Sequence, residues 1–299
     1  MSGGNEYLGN AFALATAIIW AIAVILFKKS GEKVHPIALN LFKCVLAFVL
    51  LIPTMLLFGE SLMPNSSLKI YAILFASGIV GIGISDTLFF VGLNHLGAGL
   101  SAIAGYIYSP FIIILSFAML GESFTPIQAV GTILVISAIF TANADRRSGK
   151  LLPGDLRKGL TAVVLGNAAI AISVIMMKPY LAESPLIWSA EIRLAGGILT
   201  LLLMLLFHPK RKRILSSLKS VGSLKYTLSG SLFGTYFAMV LWIAGMKYTQ
   251  ASTAAVLNQT SDIFVFILAA IFLREHVTRY RLIGIILAIC GAIMVSLGG

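Results

Sequence analysis

Charge is scarce in this chain. Only 11% of its 299 residues are Asp, Glu, Lys or Arg, against roughly 25% in a soluble domain. With a mean hydropathy of +0.98, that scarcity excludes an ordinary soluble globular protein. Cysteine is scarcer still: Cys44 and Cys290 both fall inside apolar runs, which argues against a disulfide framework or a Cys-rich metal site. The four histidines, His35, His95, His208 and His276, lie singly at loops or run ends. No G-x-x-x-x-G-K-[ST] segment is present to cradle a nucleotide phosphate, and neither H-E-x-x-H nor a G-x-S-x-G elbow occurs. ATP-driven pumping and intramembrane enzymology therefore have no support in the motifs, and no cofactor or metal is expected. The opening MSGGNEYLGN lacks the basic segment of a cleavable signal peptide, so the first apolar run is expected to be retained.

Long apolar runs are what the chain has in quantity. Ten of them, at roughly 10–27, 36–58, 70–93, 98–120, 126–142, 159–177, 185–207, 226–246, 251–273 and 279–297, consume most of the sequence. Each approaches the ~20 residues that carry a helix across a ~30 Å hydrocarbon core. The expected fold is all-α and integral to a lipid bilayer, that of a cell (inner or plasma) membrane, and no loop is large enough for a soluble catalytic domain.

The formal charge of +11 raises the question of a nucleic-acid partner, and its placement answers against one. Of the 22 Lys and Arg residues, 17 fall in the loops after runs 1, 5, 7 and 9, and Lys69, Lys178 and Lys247 lie on the opposite side. One-sided loading of this kind is a topology signal. It predicts non-cytoplasmic termini and no nucleic-acid partner.

Residues 89–141 slide onto 242–294 at a constant offset of 153 without a gap, with 13 identities in 53 positions, among them Glu122/Glu275, Thr125/Thr278 and Gly131/Gly284. A repeat of this length divides the chain into a first five-helix unit (1–142), a basic linker (143–158) and a second five-helix unit (159–299). Units with an odd number of spans enter the membrane in opposite directions, which gives an inverted repeat. The paired motifs LGESFTPIQAVGTILVISAI (120–139) and LREHVTRYRLIGIILAICGA (273–292), and the first-run IIWAIAVILFKK (18–29) with Trp20, resemble the drug/metabolite transporter superfamily, specifically its EamA type. That resemblance implies a basket of helices around a central cavity walled mainly by spans 1, 3, 4, 6, 8 and 9, with 5 and 10 peripheral. It also implies export or exchange of small metabolites.

Charged residues inside the runs cost at least ~2.5–3.5 kcal/mol each at a helix centre and need partners or a wet cavity. Lys43 and Asp86 lie at matching depth and are expected to pair. Glu191 and Arg193 are two residues apart on one helix and point to different faces, and Asp262 is the partner expected for Arg193. The cluster Asn258, Gln259, Thr260, Ser261 and Asp262 sits in the middle of the ninth run and aligns with Gly105–Ser109 in the fourth, with Ile263 opposite Pro110. Pro110 donates no backbone hydrogen bond and frees a carbonyl one turn earlier. Interrupted mid-membrane helices bearing polar side chains are where inverted-repeat transporters hold substrate and ions. Trp20, Tyr106, Ser109, Asn167, Tyr236, Asn258 and Gln259 are therefore the candidate substrate-binding residues. Asp86, Asp262, Lys43, Glu191 and Arg193 are the candidate coupling or ion-pair residues.

The reading is a secondary transporter of small organic metabolites such as amino acids, working by alternating access and coupled to protons if a buried carboxylate, Asp262 or Asp86, is the carrier. A passive facilitator is the alternative, and a membrane scaffold or receptor a weaker one. The protein is expected as a monomer, or as a homodimer through the small-residue face Gly284, Ala288 and Gly291.

Overall fold

The computed structural model describes residues 3–120, 125–143, 153–220, 222–248 and 251–297. Ten long helices account for most of them: α1 (Gly3–Gly31), α2 (Pro36–Leu57), α3 (Leu68–Leu96), α4 (Ala98–Gly105 continuing as Tyr108–Leu120), α5 (Pro126–Asn143), α6 (Pro153–Leu181), α7 (Leu186–Leu206), α8 (Leu224–Tyr248), α9 (Ala251–Phe272) and α10 (Arg279–Leu297). No strand occurs among the described residues. Proline marks several starts, at Pro36, Pro126 and Pro153, where its missing N–H costs no intrahelical bond. Ser67 opens α3 by accepting from the Ile70 amide.

Seven of these helices are long and apolar enough to cross a membrane. Pro126–Ala142 and Leu257–Phe272 are apolar but shorter, and α10 opens on Arg279 and Arg281. The chain is an all-helical membrane protein, and its elements follow the expected runs with marked boundary shifts in α1, which begins at Gly3 instead of 10, and in α6. Helix α6 begins at Pro153 instead of 159, its charged first turns carrying Asp155, Arg157 and Lys158. Residues 144–152 of the linker, and Glu122, lie outside the described residues.

The expected offset of 153 reappears in the backbone. Widened, π-helical turns interrupt α3 at Ile79–Ser85 and α8 at Leu232–Phe237, starting 153 residues apart. Such turns disturb the regular backbone ladder. In α3 the buried Asn40 of α2 donates to the Ile82 carbonyl at 2.9 Å and to the Thr87 hydroxyl at 2.9 Å. Packing is reciprocal between the units. Helix α1 lies against α8 and α9, α6 lies against α3 and α4, α2 pairs with α7, and α5 pairs with α10.

Two glycines set the closest approach. A Cβ at Gly78 would sit 1.9 Å from the Arg193 carbonyl oxygen, and one at Gly196 would sit 2.2 Å from that of Phe75. The α3 and α7 backbones therefore touch, which holds Arg193 in register. Gly230 and Gly234 pack on Phe27 of α1. The face proposed for dimerisation is spent inside the chain: Gly284 lies against Ala138 and Ala142, and Gly291 against Gly131 and Val135, all on α5. That corrects the face assigned to a dimer, because small residues here admit a neighbouring helix of the same chain.

Gly78→Ala should force α3 and α7 apart, at an overpacking cost of about 1–3 kcal/mol or more. Melting of the purified protein in detergent should drop by several degrees, whereas Gly154→Ala, with nothing within 4 Å of its Cβ, should melt like the parent.

Candidate functional site

A cavity of about 240 Å³ lies at the centre of the bundle. Its wall comes from α1, α3, α4, α6, α8 and α9, with Lys43 the sole contribution of α2 and Arg193 that of α7. Helices α5 and α10 contribute nothing described to it, in keeping with their peripheral pairing.

The charged residues divide into paired and unpaired. Lys43, 1% exposed, donates to Asp86 at 2.6 Å, as matching depth required. The Asp86 side chain keeps 20% exposure toward the cavity. Arg193 is also 1% exposed, but the partner expected for it is wrong. Its Nη1 donates to Ser77 Oγ at 2.9 Å and Ser173 Oγ at 3.2 Å and touches Met177 Sδ, and its guanidinium lies over the Trp242 ring at 5.4 Å. Neutral acceptors on α3 and α6 thus hold it, because α7 is pinned against α3 by Gly78. Asp262 lines the cavity with no hydrogen bond or ion pair among the described residues, its carboxylate resting 3.3 Å from where a Cβ on Gly105 would be. Glu191 is buried away from the cavity, and neither carboxylate oxygen finds a described partner.

Helix α4 breaks at Tyr106 and Ile107. Pro110 denies the Tyr106 carbonyl its α-helical bond. The Ser109 amide donates to that carbonyl at 3.3 Å, and the Gln259 amide of α9 donates to it as well, at 3.3 Å, while the Gln259 oxygen accepts from the Ser109 hydroxyl. Asn258, Gln259, Ser261, Asp262 and Val265 share one face toward the cavity. Thr260 turns back to bond the Leu257 carbonyl at 2.6 Å. Trp20 and Asn167 also reach the wall, Trp20 with its ring 5.8 Å from that of Phe89.

Four candidates do not reach the wall. Tyr106 is buried behind the α4 break, and Tyr108 lines the cavity in its place. Ser109 is engaged with Gln259. The Tyr236 hydroxyl shares a 2.6 Å hydrogen bond with Thr54, and Thr235 faces the cavity instead. Glu191 is the fourth. Both one- and two-residue displacements follow from local backbone: the turn in α4 and the π stretch in α8 rotate the faces away from a 3.6-residue period.

Carboxylates clamp the ends of the bundle across its two units. Glu275, in the α9–α10 connection, accepts from the Ala98 and Gly99 amides at 2.7 and 3.0 Å, at the start of α4. Glu60 accepts from the Leu186, Ile187 and Trp188 amides at the start of α7. A carboxylate at a helix N-terminus satisfies orphan donors and complements the helix dipole. Lys28 does the converse, donating to the Leu93 carbonyl at 3.0 Å at the end of α3, and Lys178 contacts the Met246 carbonyl 153 residues further on.

A model of the EamA-like transporter family matches residues 7–144 and again residues 157–297. The chain belongs to the EamA-like transporter family. It is 22% identical over 285 residues to an uncharacterized transporter of Archaeoglobus fulgidus, across 95% of this chain and 96% of that protein. It is likewise 22% identical over 292 residues to Protein PecM of Dickeya dadantii, across 95% and 91%. One solved crystal structure at 17% sequence identity shares the fold with a TM-score of 0.71 over 97% of this chain and 96% of that one. This EamA-like protein is thus a multi-pass membrane transporter built from two EamA units, and the family is not one of enzymes.

The sequence reading of this transporter missed Thr16, Ser85, Ser101, Tyr108, Thr235 and Trp242 on the cavity wall. Tyr108 was within the segment singled out, and Ser85 adjoins Asp86, so proximity to a chosen residue was the available signal. Gln259→Leu should strand the Ser109 hydroxyl, a cost of about 1–3 kcal/mol, and leave the Tyr106 carbonyl with the Ser109 amide alone, read as a clear fall in melting temperature. Asn258→Leu should melt no lower than the parent, since both of its amide atoms are already buried without a described partner.

Proposed function

We propose that this EamA-like transporter is a secondary carrier of small organic solutes such as amino acids, exporting or exchanging them by alternating access. Its ten helices would form two five-span units of opposite orientation, rocking about the central cavity. The observation that carries this reading is where polar atoms go unsatisfied. Ser101 Oγ, Tyr108 OH, Thr235 Oγ1 and both amide atoms of Asn258 are buried on the cavity wall with no hydrogen-bond partner among the described residues. A buried polar group left unpaired costs about 1–3 kcal/mol, and water or a polar solute in the cavity removes that cost. Reciprocal packing supports the rest: α1 of one unit is held by α8 and α9 of the other, and α6 by α3 and α4. Motion of one unit against the other then changes access to a site both units build.

Proton coupling is assigned to Asp262. It is a wall carboxylate without a counter-cation, whereas Asp86 is committed to Lys43. A carboxyl in that setting takes up a proton when the cavity faces one side and releases it on the other. The basic loops orient the chain with both termini outside the cytoplasm.

In proteoliposomes a pH gradient should drive uphill accumulation of a transported amino acid by the parent protein. Asp262→Asn should lose that accumulation and keep downhill exchange. Gradient-driven uptake that survives the substitution removes Asp262 from coupling, and parent flux that stops at equilibration makes the protein a passive facilitator.

A further inference from the structure

Lys43 and Arg193 are the cations on the cavity wall, and they are not equivalent. Lys43 is neutralised by Asp86 at 2.6 Å. Arg193 meets no carboxylate among the described residues, although Asp86 and Tyr108 lie within its electrostatic reach. Such a charge is expensive in a low-dielectric interior unless something else compensates it.

The geometry of the guanidinium says what that would be. Nη1 is occupied by Ser77, Ser173 and Met177. Nε is buried with no partner, and Nη2 makes no hydrogen bond among the described residues. Nε and Nη2 carry the two N–H bonds that run parallel along one edge of the planar group, the spacing that matches the two oxygens of a carboxylate. The Trp242 ring lies 5.4 Å from the guanidinium carbon and packs against the group. The Tyr108 hydroxyl, also on the cavity wall and also unpartnered, supplies a further donor. A single guanidinium balances one negative charge, so a monocarboxylate fits where a phosphate dianion would leave an excess.

We infer that the free Nε–Nη2 edge of Arg193, with Tyr108 beside it, is the docking subsite for a carboxylate on the transported solute. This rests on the carrier reading above and adds to it the group by which the solute is recognised. Arg193 is then a specificity-determining residue, and esters or amides of a transported acid are poor solutes.

The test is thermal stabilisation of the purified full-length protein by paired probes: the amino acids with their carboxamides, aliphatic and aromatic monocarboxylates with their carboxamides, and inorganic phosphate. At least one free acid should raise the melting temperature while its carboxamide does not. Arg193→Gln should weaken binding of that acid about ten- to hundredfold, and Arg193→Lys should retain part of it as a point charge without the fork. If Arg193→Gln does not fold, the acid–amide contrast on the parent and the Arg193→Lys titration decide the matter. Equal stabilisation by acid and amide, stabilisation by phosphate alone, no carboxylate binding at all, or undiminished binding by Arg193→Gln each overturns the assignment. Transport of the free acid by Arg193→Gln at the parent rate would overturn the subsite and leave the carrier standing. Absence of flux for every compound in proteoliposomes would strike the carrier reading itself.

Discussion

Between α4 and α9 a side-chain amide reinforces a carbonyl that has lost its α-helical hydrogen bond. Hydrocarbon offers a freed carbonyl nothing, so a membrane helix can break only where protein or water takes up the loose group. Pro110 takes the α-helical bond from the Tyr106 carbonyl, and the Ser109 amide and the Gln259 side chain both donate to it. Because Gln259 also binds the Ser109 hydroxyl, the broken helix is tied to its counterpart in the other unit. The same face of α9 then presents Asn258, Ser261 and Asp262 to the cavity. The break, the tie and the polar wall are one arrangement.

Polar groups in this bundle fall into two populations. Many of those between helices are satisfied, with Glu191 and Trp188 Nε1 as exceptions: Asn40 on the α3 carbonyl, Ser85 on the Gly166 carbonyl at 2.8 Å, Ser30 and Thr227 on each other at 2.6 Å. They act as interhelical glue, each contributing modestly. Several of those around the cavity are not satisfied, Asn258 most completely. Folding alone has no use for an unpaired amide in the centre of a membrane protein, and a binding site does. Close backbone contacts at Gly78 and Gly196 add rigidity where the Arg193 guanidinium is mounted.

Much of this was legible in the residues. The apolar runs, the 153-residue offset, the Lys43–Asp86 pairing by depth and the consequence of Pro110 all follow from spacing and elementary bonding rules. Less legible was which of two neighbours faces inward. Tyr106 against Tyr108 and Tyr236 against Thr235 were decided by a turn and a π stretch, whose departures from ideal helix no periodicity announces. The partner of Arg193 was misread for a different reason. Depth along a helix can be counted from sequence, but the facing of α7 toward Ser77 and Ser173 is set by glycine contacts between distant segments. The small-residue face of α10 likewise gives no sign in sequence of whether its neighbour is α5 or another chain.

The central claim is that the hollow between the two units is hydrated and open to one side of the membrane. Single cysteines at Ser101 and Asn258, and at the lipid-facing Ile267 as control, in a background with Cys44 and Cys290 replaced, test it in sealed membrane vesicles with a water-soluble, membrane-impermeant maleimide. The account predicts rapid modification at 101 and 258 and none at 267. If 101 and 258 are as inert as 267 from both sides of the membrane, the cavity is dry and the transport path lies elsewhere.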